Sequence, residues 1–458
     1  MNDLAPRLLT FALLGALLSA CAVQPDATES ASASVEHIDG WTDEALDIYF
    51  VPGGAAAEDR IAAEIAGATQ SIRVAMYNLR SERLGWALLD RQRAGVQVEV
   101  LWDAKQMAKD YNTLDDELIA AGLNVVPVHN TRTNYSTLHD KLAVFDGSTV
   151  MLGSANWGAS ALHQNNESLL VFHSTGLAAS VDAELNEIAS GTKLARTGDD
   201  DSRVQLYFSP EDRLDLVTEA AIDAATDRID VSVFSLHWHA LSQALVREHN
   251  RGVSVHVLTD QKQADTTNED EFLSAAGIEV VAALNAASPY TAMHHKFLVI
   301  DGDITLVGSY NWSYTATFGS YEDLAVIAGD TEVAAAFERE MARLWRQYAD
   351  TPGPTVPNIG VEVRAFCDRT QWGDRLVLVG DIDELGAWDP HAGIELSGDT
   401  WPLWFARPLL PAGARVQYKL VIIRSDGSVW WESGANREVV LPTDPNETAL
   451  VIDDEFRG

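Results

Sequence analysis

The chain has 458 residues, 22% of them charged and 47% hydrophobic, which is enough for two or three domains with proper cores and fits a soluble globular protein. Acidic residues outnumber basic ones 68 to 32, giving a formal net charge of −36. Such a surface repels nucleic acid and anionic membranes, because non-specific affinity for phosphates rests on Lys and Arg. The chain opens with Arg7 and an apolar run from Leu8 to Leu18. That run is too short to span a bilayer comfortably and ends in small residues, as an export signal does. No other stretch is apolar enough to cross a membrane.

Leu18-Ser19-Ala20-Cys21 resembles the lipobox of bacterial lipoproteins. The resemblance implies cleavage before Cys21, lipidation of that cysteine, and a protein exported and anchored in a bacterial cell envelope. A plain secretory signal is the competing reading. The only other cysteine is Cys367, so a chain with Cys21 lipidated has no intramolecular disulfide. Residues 22–45, rich in Ala, Ser, Asp and Glu, read as a disordered tether.

From residue 46 the sequence is written twice. LDIYFVP (46–52) is answered by VQLYFSP (204–210), SIRVAMYNL (71–79) by RIDVSVFSL (228–236), and GVQVEVLWDAKQ (95–106) by GVSVHVLTDQKQ (252–263). Each half alternates strands with amphipathic helices, the helices being expected at 57–69, 82–93, 211–226 and 239–250. That alternation predicts an α/β sandwich in each half, over 46–195 and 203–349. The polar joint between them is ARTGDDDS (195–202), whose aspartates read as a solvated acidic run.

The closest match lies in LHDKLAVFDGSTVMLGSAN (138–156) and MHHKFLVIDGDITLVGSYN (293–311). Every shared residue of the second lies 155 positions after its counterpart, from His139 and His294 to Asn156 and Asn311. The alternation from Leu138 to Phe145 predicts a strand with His139 and Lys141 on one face. Asp146-Gly147 predicts the hairpin turn, and the return strand brings Ser154 and Asn156 back to the level of His139. His294, Lys296, Asp301, Ser309 and Asn311 repeat the arrangement. A lone His-x-Lys pair is usually structural, but two inside matched skeletons point to function. His295 falls on the opposite face and reads as structural, and Trp157 and Trp312 suit the core as well as a cleft.

This doubled H-x-K-x4-D pattern resembles the signature of the phospholipase D superfamily over about residues 46–349. The resemblance implies that the halves pack about a pseudo-twofold axis with both histidines in one cleft. One histidine, by analogy His139, would attack phosphorus and become a phosphohistidine, while the other protonates the leaving oxygen and then activates water. Imidazole suits both tasks, since it titrates near neutrality. Lys141, Lys296, Asn156 and Asn311 would hold the non-bridging oxygens. Glu167 and Glu322, each eleven residues after the asparagine, would orient the histidines. Asp146 and Asp301 would fix the hairpins rather than touch substrate. Neither a metal nor another cofactor is implied, and a monomer is expected.

DTPGPTVPNIG (350–360) reads as a linker, and 361–458 as a separate all-β module. LVLVGDIDELGAWDP (376–390), WPLWFARPLLPAGARVQYKLV (401–421) and GSVWWESGANREV (427–439) resemble a starch-binding module, carbohydrate-binding family 20, with an immunoglobulin-like sandwich fold. The resemblance implies an α-glucan site with Trp388 and Trp431 stacking on sugar rings beside Lys419 and a second site near Trp372 and Trp401. Asn436 would add polar contacts. Flat aromatic faces suit the apolar faces of glucose, whereas Trp404, in the apolar LWF, suits the core.

The whole predicts a lipid-anchored, metal-independent phosphodiesterase acting on phospholipid and tethered to an α-glucan-binding domain. The alternatives are an exported nuclease of the same superfamily, which the net charge argues against, and a phosphodiesterase for phosphoglucan or glycolipid. A glucan-binding lipoprotein with a silent catalytic fold is opposed by the intact His, Lys and Asn of both motifs.

Overall fold

The computed structural model describes residues 35–38, 46–109, 113–191, 203–264, 266–285, 291–349, 358–411, 415–441 and 450–458. Cys21, the joint at 195–202 and most of the 22–45 tether lie outside these. The chain forms two compact units, Met1–Gln263 with Val281–Thr351, and Ala264–Val280 with Pro352–Gly458.

In the first unit each repeat builds its own mixed sheet. The first runs Val35–Ile38, Leu46–Val51, Glu167–His173, Thr149–Gly153, Lys141–Phe145, Ser71–Met76, Gln97–Asp103 and Val125–Val128. From Glu279–Ala283 the second runs Ser254–Asp260, Arg228–Val233, Lys296–Ile300, Ile304–Gly308, Glu322–Ala328 and Val204–Ser209, the first order reversed and without a counterpart of Val35–Ile38. In both, parallel pairing joins the first repeat strands and antiparallel pairing joins the motif hairpin. Val35–Ile38 departs from the expected disordered tether. It pairs with Leu46–Val51 and buries Ile38 in the core.

Helices form at Ala56–Gly67, Glu82–Arg93, Leu214–Asp223 and His239–Asn250. Glu82–Arg93 begins where the Ser81 hydroxyl caps the Leu84 amide, and its buried face is Leu84, Leu88 and Leu89. Two longer helices, Thr175–Ser190 and Thr331–Tyr348, close the repeats. Leu177, Val181 and Leu185 of one share a core with Phe337, Met341 and Leu344 of the other, so the repeats fold around common apolar ground. Among the described residues no helix is long and apolar enough to cross a membrane.

The second unit is all-β apart from a 3-10 turn and the helix Glu269–Ala275, which the sequence pattern had placed in the second repeat. Phe272 of that helix lies against Gly360 of strand Asn358–Phe366, where a side chain would collide with it. That strand also starts inside the expected linker. Val361, Val363, Leu376, Leu378, Leu420 and Ile422 fill a core with Trp404 and Cys367.

Candidate active site

Both hairpins turn on Asp-Gly with positive φ at both residues, 51° and 64° at Asp146-Gly147 and 52° and 65° at Asp301-Gly302. The Asp146 carboxylate accepts from the amides of Thr69, Gln70 and Ser71 at 2.7–2.9 Å. Asp301 does the same for Thr226, Asp227 and Arg228 at 2.8 Å. Burial works against the Asp146 carboxylate, but its donors outweigh that and hold it below the usual range. These aspartates lock each hairpin to the neighbouring strand and stay away from the histidines.

The motif strands begin at Lys141 and Lys296, not at Leu138 and Met293. The residues before them leave their own sheet to pair across the repeats, Leu138 with Tyr321 and Met293 with Asn166. His139 N–H donates to the Tyr321 carbonyl and His294 N–H to that of Asn166, both at 2.9 Å. Carboxylates brace these crossings. Asp103 accepts from the Leu138 amide at 2.9 Å and Asp260 from the Met293 amide at 3.0 Å. Lys105 and Lys262 donate to carbonyls of the loops ahead, Asn134 at 2.8 Å and Thr291 at 2.9 Å.

The crossing brings each histidine to the glutamate of the other repeat. His139 Nδ1 lies 2.7 Å from Glu322 Oε2, and His294 Nδ1 lies 2.9 Å from Glu167 Oε2. With Nδ1 held by a carboxylate, Nε2 is the nitrogen each ring has for chemistry. Tyr77 packs against His139 and Phe234 against His294, at centroid distances of 4.9 and 4.5 Å. Lys141 and Lys296 are buried, each donating to the carbonyl of its own histidine. They sit over the same two rings, Lys141 on Tyr77 and Lys296 on Phe234.

Removal from water sets the electrostatics. Burial pulls the Lys296 ammonium down to about 7 against the attraction of Glu167. It pushes the Glu167 carboxyl up to about 7 against Lys296, Asn165 and Ser154. Burial lowers both histidines, His294 the further, with Lys296, Lys141, His139 and His295 all adding to the effect. The two imidazoles and two ammoniums therefore occupy one poorly solvated, electrostatically coupled cluster.

Ser154 and Ser309 were expected at the level of the histidines. They are fully buried there and support the glutamates. Ser309 Oγ donates to Glu322 Oε2 at 2.7 Å and accepts from the Asp323 amide at 2.9 Å. Ser154 Oγ accepts from the Ser168 amide at 2.9 Å and bonds Glu167. The cause is the neighbouring glycine, which lets strand Glu167–His173 or Glu322–Ala328 come close enough. A Cβ at Gly153 or Gly308 would stand 2.3 Å from a backbone oxygen of that strand. Asn156 and Asn311 each keep a buried carboxamide oxygen with no partner among the described residues. Trp157 and Trp312 are core residues, and His295 is buried against Glu340. No group of three His, Cys, Asp or Glu side chains among the described residues is placed to hold a metal ion.

The family model described as "Cardiolipin synthase, PLD-like domain" matches residues 61–189 and 219–345, more than half the chain. The chain belongs to the PLD-like family. A relative of this PLD-like chain, the mitochondrial cardiolipin hydrolase of Chlamydomonas reinhardtii, is 34% identical over 128 residues, 28% of this chain and 55% of that protein. The chain thus spans about half the length of that curated PLD-like relative. The phosphatidylserine synthase of Haemophilus influenzae Rd KW20 shares the fold, with a TM-score of 0.53 at 17% identity over 66% of this chain and 86% of that one.

The PLD-like repeats are followed by a starch binding domain, whose family model matches residues 358–451. Over 92 residues the chain is 39% identical to the glucoamylase of Neurospora crassa, 19% of this chain and 14% of that protein. In this domain Trp388 and Trp431 lie 6.4 Å apart between centroids, and Trp431 is 37% exposed. Lys419 Nζ donates to the carbonyls of Glu432 and Gly434 at 3.1 and 2.7 Å, so it holds the turn after Trp431. Asn436 donates to Gln417 at 3.1 Å. Trp372 is 88% exposed and Trp401 56%, the latter tied to Thr370 through its indole N–H. Trp404 is buried and donates to the Cys367 carbonyl.

The sequence reading missed two pairs of residues. Tyr77 and Phe234 were in view as matched positions of the repeat without a role. The buried carboxylates of Asp140 and Asp323 break the repeat, so repetition could not mark them.

Proposed function

We propose that this PLD-like protein hydrolyses a phosphodiester through a phosphohistidine, with phospholipid as the substrate and phosphatidic acid and a free head group as products. The observation that carries the reading is the pair of crossed dyads, His139–Glu322 and His294–Glu167, beside two buried lysines. Nε2 of one histidine attacks phosphorus, and the bond to the leaving oxygen breaks as the other imidazolium gives that oxygen its proton. The second histidine then takes a proton from water. The hydroxide attacks phosphorus, the P–N bond breaks, and a phosphomonoester leaves. Lys141 and Lys296 supply charge against the non-bridging oxygens in a site where little water competes.

The starch binding domain favours a second reading, in which the diester is part of a phosphorylated glucan or a glycolipid. Export and anchorage through Cys21 belong to the proposal as well, and would place the enzyme at an envelope surface. Purified protein incubated with phosphatidylcholine vesicles, a phosphoglucan and DNA decides among the substrates. Release of head group from the vesicles supports the first reading. Turnover of DNA alone overturns both.

A further inference from the structure

The two repeats keep the same residues at the site but not around it. Trp238 and Ser81 stand at the start of matching helices, His239–Asn250 and Glu82–Arg93. Tyr314 and Phe318 bound the short helix that follows Asn311, as Ala159 and His163 bound the one that follows Asn156. These matched positions are therefore Ser, Ala and His in the first repeat and Trp, Tyr and Phe in the second.

In the first repeat the positions are engaged in polar bonds. Ser81 Oγ donates to Glu58 Oε1 at 2.5 Å, and His163 Nε2 lies 3.2 Å from Glu58 Oε2. In the second they gather three rings. Trp238 lies 6.0 Å from Tyr314 and 5.6 Å from Phe318 between centroids, and Tyr314 lies 4.8 Å from Phe318. All three side chains are partly exposed. The Trp238 indole N–H is buried with no acceptor among the described residues, so what that ring offers outward is carbon. The ring planes are inclined to one another by 43–66°, and so present no common flat face for a sugar to stack on. Arg213, whose guanidinium lies 4.7 Å over the Phe318 ring, is neutralised by Asp215 at 2.7 Å.

The cluster is continuous with the site. Trp238 comes four residues after Phe234, which packs on His294, and Tyr314 three after Asn311. The two segments run side by side, His237 N–H donating to the Trp312 carbonyl at 2.7 Å and Trp312 N–H to that of Ser235 at 3.0 Å. Phe318 leads within three residues to Tyr321, whose carbonyl receives the His139 N–H.

We propose that this aromatic rim on the second repeat is the subsite for the acyl chains of the substrate. The inference rests on the phospholipid reading above and says where the apolar arm of the lipid lies. A phospholipid brings a charged diester and long apolar chains to one place. The buried histidines and lysines suit the diester but offer nothing to the chains. Partly exposed aromatic carbon beside the site supplies apolar contact as the chains leave the bilayer, and its neutral charge spares them the repulsion or attraction of ions. The first repeat, polar at the same positions, has no such ground.

The test uses the full chain and butyl, hexyl and octyl phosphate as monomers, which carry an apolar arm but no diester bond to cleave. Titration calorimetry should show affinity rising by roughly two- to four-fold per methylene in the wild type. Trp238→Ser, Tyr314→Ala and Phe318→His install the residues that the first repeat carries at the same positions, and each should flatten that rise. Trp238→Phe keeps an apolar ring and should keep it. A rise that is absent from the wild type, unchanged in all three variants, or lost equally in Trp238→Phe overturns the subsite. Chain-length dependence without release of head group from phosphatidylcholine vesicles leaves the rim in place and overturns the phospholipid reading. Release of head group without chain-length dependence does the reverse.

Discussion

His139 Nδ1 and Glu322 Oε2 are 2.7 Å apart across 183 residues of sequence. The mirror pair, His294 and Glu167, spans 127 residues at 2.9 Å. Each bond crosses from one repeat to the other, so the site exists only where both repeats meet. His139→Ala and His294→Ala should each abolish steady-state turnover, and the double variant should be no worse than either, as groups acting as a unit behave. Glu322→Gln keeps the shape but loses the orienting charge, and should lower kcat by on the order of 10²–10⁴. Steady-state rates on a soluble phosphodiester check both, and near-wild-type kcat in Glu322→Gln would remove its orienting role.

Asp323 makes stability depend on pH. Burial raises its carboxyl to about 7, above the roughly 3.9 of an unfolded aspartate. A folded value above the unfolded one means that its contribution is full below about pH 4 and is lost as pH rises to about 7. Asp323→Asn removes the charge but keeps the volume, so its melting temperature should gain on wild type between pH 5 and pH 8. Thermal melts at the two pH values test this. A difference that does not change with pH would show that the carboxyl is not being ionised at a cost.

The glycines after the hairpin strands are held by contact. A Cβ at Gly308 would stand 2.3 Å from the Asp323 carbonyl oxygen and 2.9 Å from its carboxylate. Gly308→Ala must push strand Glu322–Ala328 away, at about 1–3 kcal/mol or more. Denaturant unfolding should show the loss, and turnover should fall with it because Glu322 moves. Unchanged stability would mean that the strand yields without cost and that contact does not hold the glycine.

In the starch binding domain the tryptophans should separate into two kinds. Trp431→Ala should weaken binding of β-cyclodextrin by about 1–3 kcal/mol, ten-fold or more, without changing hydrolysis of a small diester. Trp404→Ala should instead cost about 3–5 kcal/mol of stability, because a buried indole leaves a cavity and an unpaired carbonyl at Cys367. Calorimetric titration and unfolding separate the two. Wild-type affinity in both Trp431→Ala and Trp388→Ala would move the ligand elsewhere.

Cys21→Ser should release the protein from the membrane fraction of its host into soluble form. Fractionation after a salt wash reads this directly, and retention of the variant on membranes would mean that something else anchors it.

The repeat was legible because its chemistry is local: H-x-K, Asp-Gly and Gly-Ser-x-Asn each keep fixed spacing within one hairpin. It delivered the two sheets, the turns at Asp146 and Asp301, and the two histidines, while the glutamates came only with the family resemblance. What it could not deliver was partnership. Nothing in the spacing of Glu167 says that it serves His294 rather than His139, since that depends on Met293 pairing with Asn166 across the repeats. The part the serines play was hidden for a related reason. Period-two alternation gives the level of Ser154, but not that Gly153 lets the next strand close over it. Val35–Ile38 was missed because a four-residue edge strand with two apolar side chains is too short to register as a pattern.

The crossed dyads also bear on how such a chain could have arisen. One repeat by itself carries a histidine and a glutamate that cannot reach each other, so it could act only as two identical copies placed face to face. Identical copies must change together, and their two histidines stay chemically equivalent. Once both copies lie in one gene that constraint lapses. A mutation can enter a single copy, as Asp140 against His295 and Asp323 against Ser168 record, and a mirror-image site becomes free to develop two different ends.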